Sequence, residues 1–428
     1  MKASQKTCVY GLLLIFSIAF SGTAVAQEEI QGTGKISSDI FGERGRFYHA
    51  FLSLYGTYSD NIFNTGEDTV SDFVTEVAPG IELAFPATRR KPVSVETATT
   101  SPGGLVYDRF QGSSFHRFQS YLAYSPRFQF YADNSDENTL NHNGQASLQY
   151  NLRGGLSFNL VDRFVQDYDR YQANITTQTD TYRSNLVDLV MSYEVSEKTL
   201  FRAGYSNFLV FYTDAKNEGR NRMDNSASGY VFFKIRSKTA VFGQYNIIDI
   251  AYDNGSVRDS LEQQFLAGVY WNITEKTKGS VKSGYSIRTF DDPEINDASG
   301  FVFEANLDYR FTPDTSIGLK GYHRNEETPD QSAEYIVTTT GSFTYRQLLN
   351  DKLTFEFDLS YRNEDYQGGV FAVESRTDRI VSAGPALEYA FRDWLSAALS
   401  YEYWKRASDS PFNDYTSNIV VLRITGAI

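Results

Sequence analysis

Cysteine is all but missing from this chain: among 428 residues there is one, Cys8. It lies inside a segment read below as a leader, so the mature chain offers no disulfide and no thiol for redox or metal chemistry. Histidine is scarce too. The four present, His49, His116, His142 and His323, are scattered, which leaves no metal-ligand spacing, and neither a metal site nor a cofactor is expected. His142, in Asn141-His142-Asn143, is the least implausible catalytic base, but no nucleophile motif accompanies it. No stretch after residue 20 approaches the ~20 apolar residues that a spanning helix needs. Basic charge is also short, with 40 Lys and Arg against 53 Asp and Glu. Losing Lys2 and Lys6 with the leader leaves a net charge of −15, which argues against nucleic acid as a partner.

What is abundant is aromatic: 30 Tyr and 32 Phe. A barrel in a membrane uses such residues as girdles at both interfaces. The start of the chain fits an exported protein. Lys2 and Lys6, the apolar run Val9 to Phe20, and Ala24-Val25-Ala26 have the three-part form of a secretory signal peptide. Residues 1–26 are therefore expected to be removed after Ala26. The apolar run is too short for a membrane anchor. Residues 27–45 read as a short polar lead-in on the periplasmic side.

The organising signal is a beat of short polar turns. They read Ser196-Glu197-Lys198-Thr199, Arg236-Ser237-Lys238-Thr239, Thr274-Glu275-Lys276-Thr277, Thr312-Pro313-Asp314-Thr315, Asn350-Asp351-Lys352 and Arg392-Asp393. Thr199, Thr239, Thr277 and Thr315 follow one another at 40, 38 and 38 residues. Between turns the residues alternate. Phe301, Phe303, Ala305, Leu307, Tyr309 and Phe311 share one face, while Val302, Glu304, Asn306, Asp308 and Arg310 share the other. Phe355, Phe357, Leu359 and Tyr361 alternate likewise with Glu356, Asp358, Ser360 and Arg362. A hairpin with one tight and one long end, repeated, predicts an all-β fold: a transmembrane antiparallel up-and-down β-barrel over residues 46–428. A soluble sandwich would also alternate. However, these charged faces hold too many ionisable groups to meet lipid, and the apolar faces stay aromatic to the strand ends.

About 18 strands are predicted, near 46–58, 72–85, 117–131, 142–152, 155–165, 184–195, 199–211, 226–236, 239–251, 262–273, 278–289, 300–311, 316–324, 335–347, 353–362, 378–391, 395–404 and 417–428. Short turns belong on the periplasmic side, and the long acidic loops, such as 163–183, 212–225, 325–334 and 363–377, on the extracellular side. One periplasmic connection departs from the rule. Residues 86–116 carry Arg89-Arg90-Lys91, Pro86, Pro92, Pro102 and Gly103-Gly104, and read as a disordered insertion, a periplasmic flap or a segment folded into the lumen.

Eighteen strands leave an aqueous lumen unless something plugs it. Strand parity turns Glu76, Glu82, Glu194, Glu304, Asp308, Glu356, Asp358, Glu388 and Glu402 toward it, with Arg127, Arg202, Lys234, Lys282, Arg288, Arg310, Lys320, Arg346 and Arg362. Tyr121, Tyr230, Tyr270 and Tyr322 share that face. Opposed charges and tyrosines suit polar solutes and sugar rings, though cross-strand salt bridges alone would also account for the charges.

Tyr58-Ser59-Asp60-Asn61-Ile62-Phe63, the later Val77-Ala78-Pro79-Gly80-Ile81-Glu82-Leu83, and the closing Tyr415-Thr416-Ser417-Asn418-Ile419-Val420-Val421-Leu422-Arg423-Ile424-Thr425-Gly426 resemble outer-membrane β-barrel porins of exopolysaccharide biosynthesis loci in Gram-negative bacteria. Asp60 and Asn61 form the turn of that motif, as side chains that bond nearby backbone. The terminal Ile428 replaces the usual aromatic residue of a barrel insertion signal. The resemblance implies a polar-solute channel tied to polysaccharide export. The partners it implies are outer-membrane lipid and lipopolysaccharide, the barrel assembly machinery, polysaccharide and periplasmic export proteins. A scaffolding or adhesive barrel without an open pore is the alternative, and a barrel enzyme a remote one.

Overall fold

The computed structural model describes residues 46–88, 96–97, 100–106, 117–169, 180–253, 257–274, 276–328, 330, 333–368, 376–410 and 413–427. The expected signal peptide, the lead-in, Arg89-Arg90-Lys91, Pro92 and Ile428 lie outside these residues. No helix among them is long and apolar enough to cross a membrane. The wall is an 18-stranded sheet. Its strands are β1 (Arg46–Ser59), β2 (Asp72–Thr88), β3 (Phe118–Tyr131), β4 (Thr139–Asn151), β5 (Leu156–Asp169) and β6 (Asp180–Glu194). They continue as β7 (Thr199–Tyr212), β8 (Arg222–Arg236), β9 (Thr239–Tyr252), β10 (Ser260–Thr274), β11 (Thr277–Phe290) and β12 (Ala298–Arg310). The last six are β13 (Thr315–Glu326), β14 (Tyr335–Asn350), β15 (Leu353–Gln367), β16 (Thr377–Arg392), β17 (Leu395–Ser408) and β18 (Tyr415–Ala427).

Each strand pairs antiparallel with the next, and β1 pairs with β18 from Phe51 opposite Ala427 to Ser59 opposite Ile419. That last ladder closes the sheet and leaves no edge, the condition for crossing a bilayer with strands. The periplasmic turns form for local reasons. Ser196 Oγ accepts from the amides of Lys198 and Thr199, and Asn350 Oδ1 accepts from those of Lys352 and Leu353. Short polar side chains thus replace ladder partners where the chain reverses.

The observed strands differ from the expected ones mainly at the extracellular end. β5 runs to Asp169, β8 starts at Arg222, β15 runs to Gln367 and β17 to Ser408. The added residues are polar on both faces, for example Asn363-Glu364-Asp365. Hydrophobic alternation stops at the membrane boundary, while the hydrogen-bond ladder continues above it. Tyrosines mark that boundary on the outer face. Tyr205, Tyr245, Tyr285 and Tyr401 donate their hydroxyls to Asn225, Gln263, Ser299 and Asn418, each nearer the extracellular rim. Beside and below them, Leu189, Val231, Phe265 and Leu399 are exposed, as lipid-facing residues must be.

One stretch of wall is apolar on both faces. Val161, Tyr182, Leu186, Phe208, Val210 and Tyr212 of β5–β7 form a buried cluster, out of phase with the exposed Leu160, Leu189, Tyr205 and Phe211. They therefore point inward, and on that side the lumen is packed.

Candidate functional site

The residues assigned to the pore wall by parity all alternate with the exposed apolar rows and so lie on the inward face. Several are paired there. Arg127 meets Glu76 at 3.7 Å, and Gln129 donates to the same carboxylate at 2.7 Å. Lys282 contacts Glu304 at 2.9 Å and Arg423 contacts Glu388 at 3.2 Å. Arg202 donates to Ser192 and lies 5.2 Å from the centre of the Phe232 ring. Thr344 donates to Asp358. Glu194, Arg310 and Lys320 are exposed. Glu82, Lys234, Asp308, Arg346, Glu356 and Glu402 are spread around the wall between these points. The structure thus brings the expected residues to one surface but not into one cluster. His142 is not on it: it faces outward beside Leu140 and Leu148, stacked on Tyr124 and hydrogen-bonded to its hydroxyl.

The densest chemistry sits near the extracellular mouth, where only Arg288, Arg362 and Tyr322 were expected. A chain of alternating charge runs across the inner wall. Arg324 contacts Glu326 at 2.8 Å; Glu326 takes Arg362 at 2.7 Å; Arg362 reaches Glu364 at 2.6 Å. Arg406 then bridges Glu364 and Asp378, and Arg376 bridges Asp378 at 3.0 Å and Asp330 at 2.9 Å. Thr338 of β14 donates to Glu326 and fills the gap between β13 and β15. Tyrosines underlie the cations: Tyr322 lies 4.1 Å from the Arg324 guanidinium carbon, Tyr366 3.8 Å from that of Arg376, and Tyr252 4.1 Å from that of Arg258.

A second knot joins loops to wall. Glu327, just past β13, is fully buried and bound by Arg288 of β11 at 2.6 Å and by the Tyr252 hydroxyl of β9. Burial pushes the Glu327 carboxyl up, but the Arg288 and Arg222 guanidinium groups outweigh it and hold it below its ordinary range. Arg258 donates to the carbonyls of Thr328 and Gly219, tying three extracellular loops together. Arg222 and Asp224 of β8 form a buried pair at 3.0 Å.

This network was missed because its residues lie in loops or at strand ends, where apolar alternation fades. A signal was nevertheless there. Arg222-Met223-Asp224, Arg324-Asn325-Glu326, Arg362-Asn363-Glu364 and Arg376-Thr377-Asp378 repeat one pattern, Arg-x-acid. Residues two apart share a face of a strand, so each triplet places its ion pair on one side.

The motif turn is also more than a turn. Asn61 is buried; its side chain accepts from the Thr65 amide and donates to the carbonyls of Thr65 and Thr416. Asp60 accepts from the Asn418 amide and side chain. Together they staple the first hairpin to the last strand at the rim.

A charged, closed, girdled 18-strand cylinder defines the class: a porin-like outer-membrane β-barrel. The profile of the family described as "Putative beta-barrel porin 2" matches residues 109–427, and the chain belongs to that family. No curated protein sequence matches the chain. Among solved structures it is similar to Pseudomonas aeruginosa OpdO at 10% identity, covering 89% of this chain and 97% of that one, with a TM-score of 0.44. Pseudomonas aeruginosa OccK2 (OpdF) is similar at 7% identity, 89% and 98% coverage and a TM-score of 0.47. For Acinetobacter baumannii OccAB4 the figures are 9%, 90%, 99% and 0.44.

Proposed function

We propose that the barrel passes polar, hydroxyl-rich solutes across the outer membrane and serves exopolysaccharide export. The supporting observation is the inner wall near the extracellular mouth, where acids, arginines and tyrosines alternate across neighbouring strands. Carboxylates and guanidinia bond hydroxyls edge-on, and tyrosine faces stack on sugar rings, so one surface handles successive residues of a polymer without a single tight site. On this reading its partners are the polysaccharide, a periplasmic protein that hands it over, lipopolysaccharide around the girdle, and the assembly machinery that inserts the barrel.

The test is single-channel recording of the purified protein in planar bilayers, with neutral and acidic oligosaccharides added to either side. Concentration-dependent block by oligosaccharides, absent with a small polyol of equal concentration, is the expected result. Equal response to all solutes would leave a general pore and remove the sugar reading. A second reading, a closed scaffolding barrel, is favoured by the inward apolar cluster of β5–β7, since a water-filled pore has no use for it. Absence of current from folded protein under all conditions would favour it.

A further inference from the structure

The connection between β2 and β3 leaves and re-enters the wall at the periplasmic rim, at Thr88 and Phe118. Yet its described middle lies near the opposite rim. Arg222 Nη2 donates to the Ser101 carbonyl at 3.3 Å, and the Gly103 amide donates to Asp224 Oδ2 at 3.1 Å. The Thr100 hydroxyl approaches Glu326 at 3.5 Å. Arg222 is the first residue of β8 and Glu326 the last of β13, both at extracellular strand ends. Ser101 and Gly103 are buried, and the short turn Pro102–Gly104 packs against β7, β8 and β9. A paired rung, Glu96 opposite Val106 and Thr97 opposite Leu105, makes this middle a hairpin tip. The reach is available. Ser101 follows Thr88 by 13 residues, about 43 Å when extended, against a wall height of about 35 Å along the 15 residues of β8.

We propose that this tip is an inward latch: seated on Arg222, Asp224 and Glu326 it closes the lumen, and its retraction toward the periplasm is the opening step. The proposal rests on the channel reading above. The seat is polar and small, three hydrogen bonds to groups already held in ion pairs, Arg222 with Asp224 and Glu326 with Arg324 and Arg362. The barrel therefore does not need the tip in order to hold its charges. The wall residues on either side of the connection, Thr88 and Phe118, stand at the periplasmic rim, so a pull from a periplasmic partner acts along the exit direction. Gly103 stands at φ 72°, a conformation that side chains other than glycine adopt reluctantly, and this lets its amide face Asp224.

A disulfide tests the seat directly. A Cβ built on Gly103 lies 3.5 Å from Ser226 Cβ, within the range of a disulfide. G103C/S226C would be made in the full chain with Cys8→Ser, exported to outer membranes and oxidised with diamide. S226C/I248C, a register pair on β8 and β9, serves as the reactive control. A second variant, with 96–106 replaced by a Gly-Ser linker, avoids the strain at position 103. Expected are a disulfide in G103C/S226C, low conductance that rises several-fold on reduction, and comparably high conductance from the linker variant. If the control pair closes and G103C/S226C does not, while the linker variant conducts like the wild type, the latch is overturned and the channel reading stands. A disulfide that forms with no current from any variant, reduced or shortened, overturns the gate and the channel reading together.

Discussion

At the residue scale the Arg288–Glu327 pair sets the cost of disturbing the mouth. Both side chains are fully buried, so truncating one strands the other without solvent. E327A is expected to cost about 3–5 kcal/mol, measured as a lower midpoint for urea unfolding in lipid vesicles. E327Q keeps the shape and loses the charge, and should fall between. The sign with pH follows from the Arg288 and Arg222 field. Glu327 is held below its ordinary value of 4.5, so its stabilisation is complete above that pH and is lost as pH falls through the lowered value. Limited proteolysis of the extracellular loops should therefore accelerate in acid for the wild type. In E327Q the rate should change little between neutral and acid pH. An unchanged wild-type profile would mean that other contacts hold the loop.

At the scale of elements, the periplasmic turns and lipid-facing alternation were plain in the sequence, because membrane contact demands a strict period of two and a tight reversal demands Ser, Asn or Asp. Strand ends above the membrane were not, since polar residues on both faces carry no phase. The inward cluster of β5–β7 was missed for the opposite reason. Phe208 to Tyr212 is an unbroken apolar run, and a run that is apolar on both faces signals two-sided burial. Two predictions belong to this scale. Removing β18, residues 415–428, deletes ladders with both β17 and β1. The product should show no heat-modifiable mobility in gel electrophoresis and no protease-resistant core. N61A leaves the Thr65 amide and the Thr416 carbonyl without that partner at the rim. It should cost about 1–3 kcal/mol of stability in the same urea assay, with the barrel still closed.

At the scale of the whole molecule, the inner wall carries paired charges of both signs rather than a ring of one sign. Weak ion selectivity follows, read as a reversal potential near zero in a salt gradient. E304Q releases Lys282 from its partner and should shift the reversal potential toward anion selectivity, while K282Q should shift it the other way. Identical reversal potentials in the two variants would show that ions do not pass this part of the wall.

The sequence by itself determined the class of protein, the number of strands and which face of each meets lipid. Those depend on local periods and turn chemistry that every hairpin states separately. Only the tertiary structure decided which charges meet. Arg362 and Glu326 lie on strands separated by a third, Arg288 and Glu327 are 39 residues apart, and Gly103 and Asp224 are 121 apart. Such pairs depend on barrel closure, on stagger between strands and on loops folding inward, which are properties of the closed sheet and not of any segment within it.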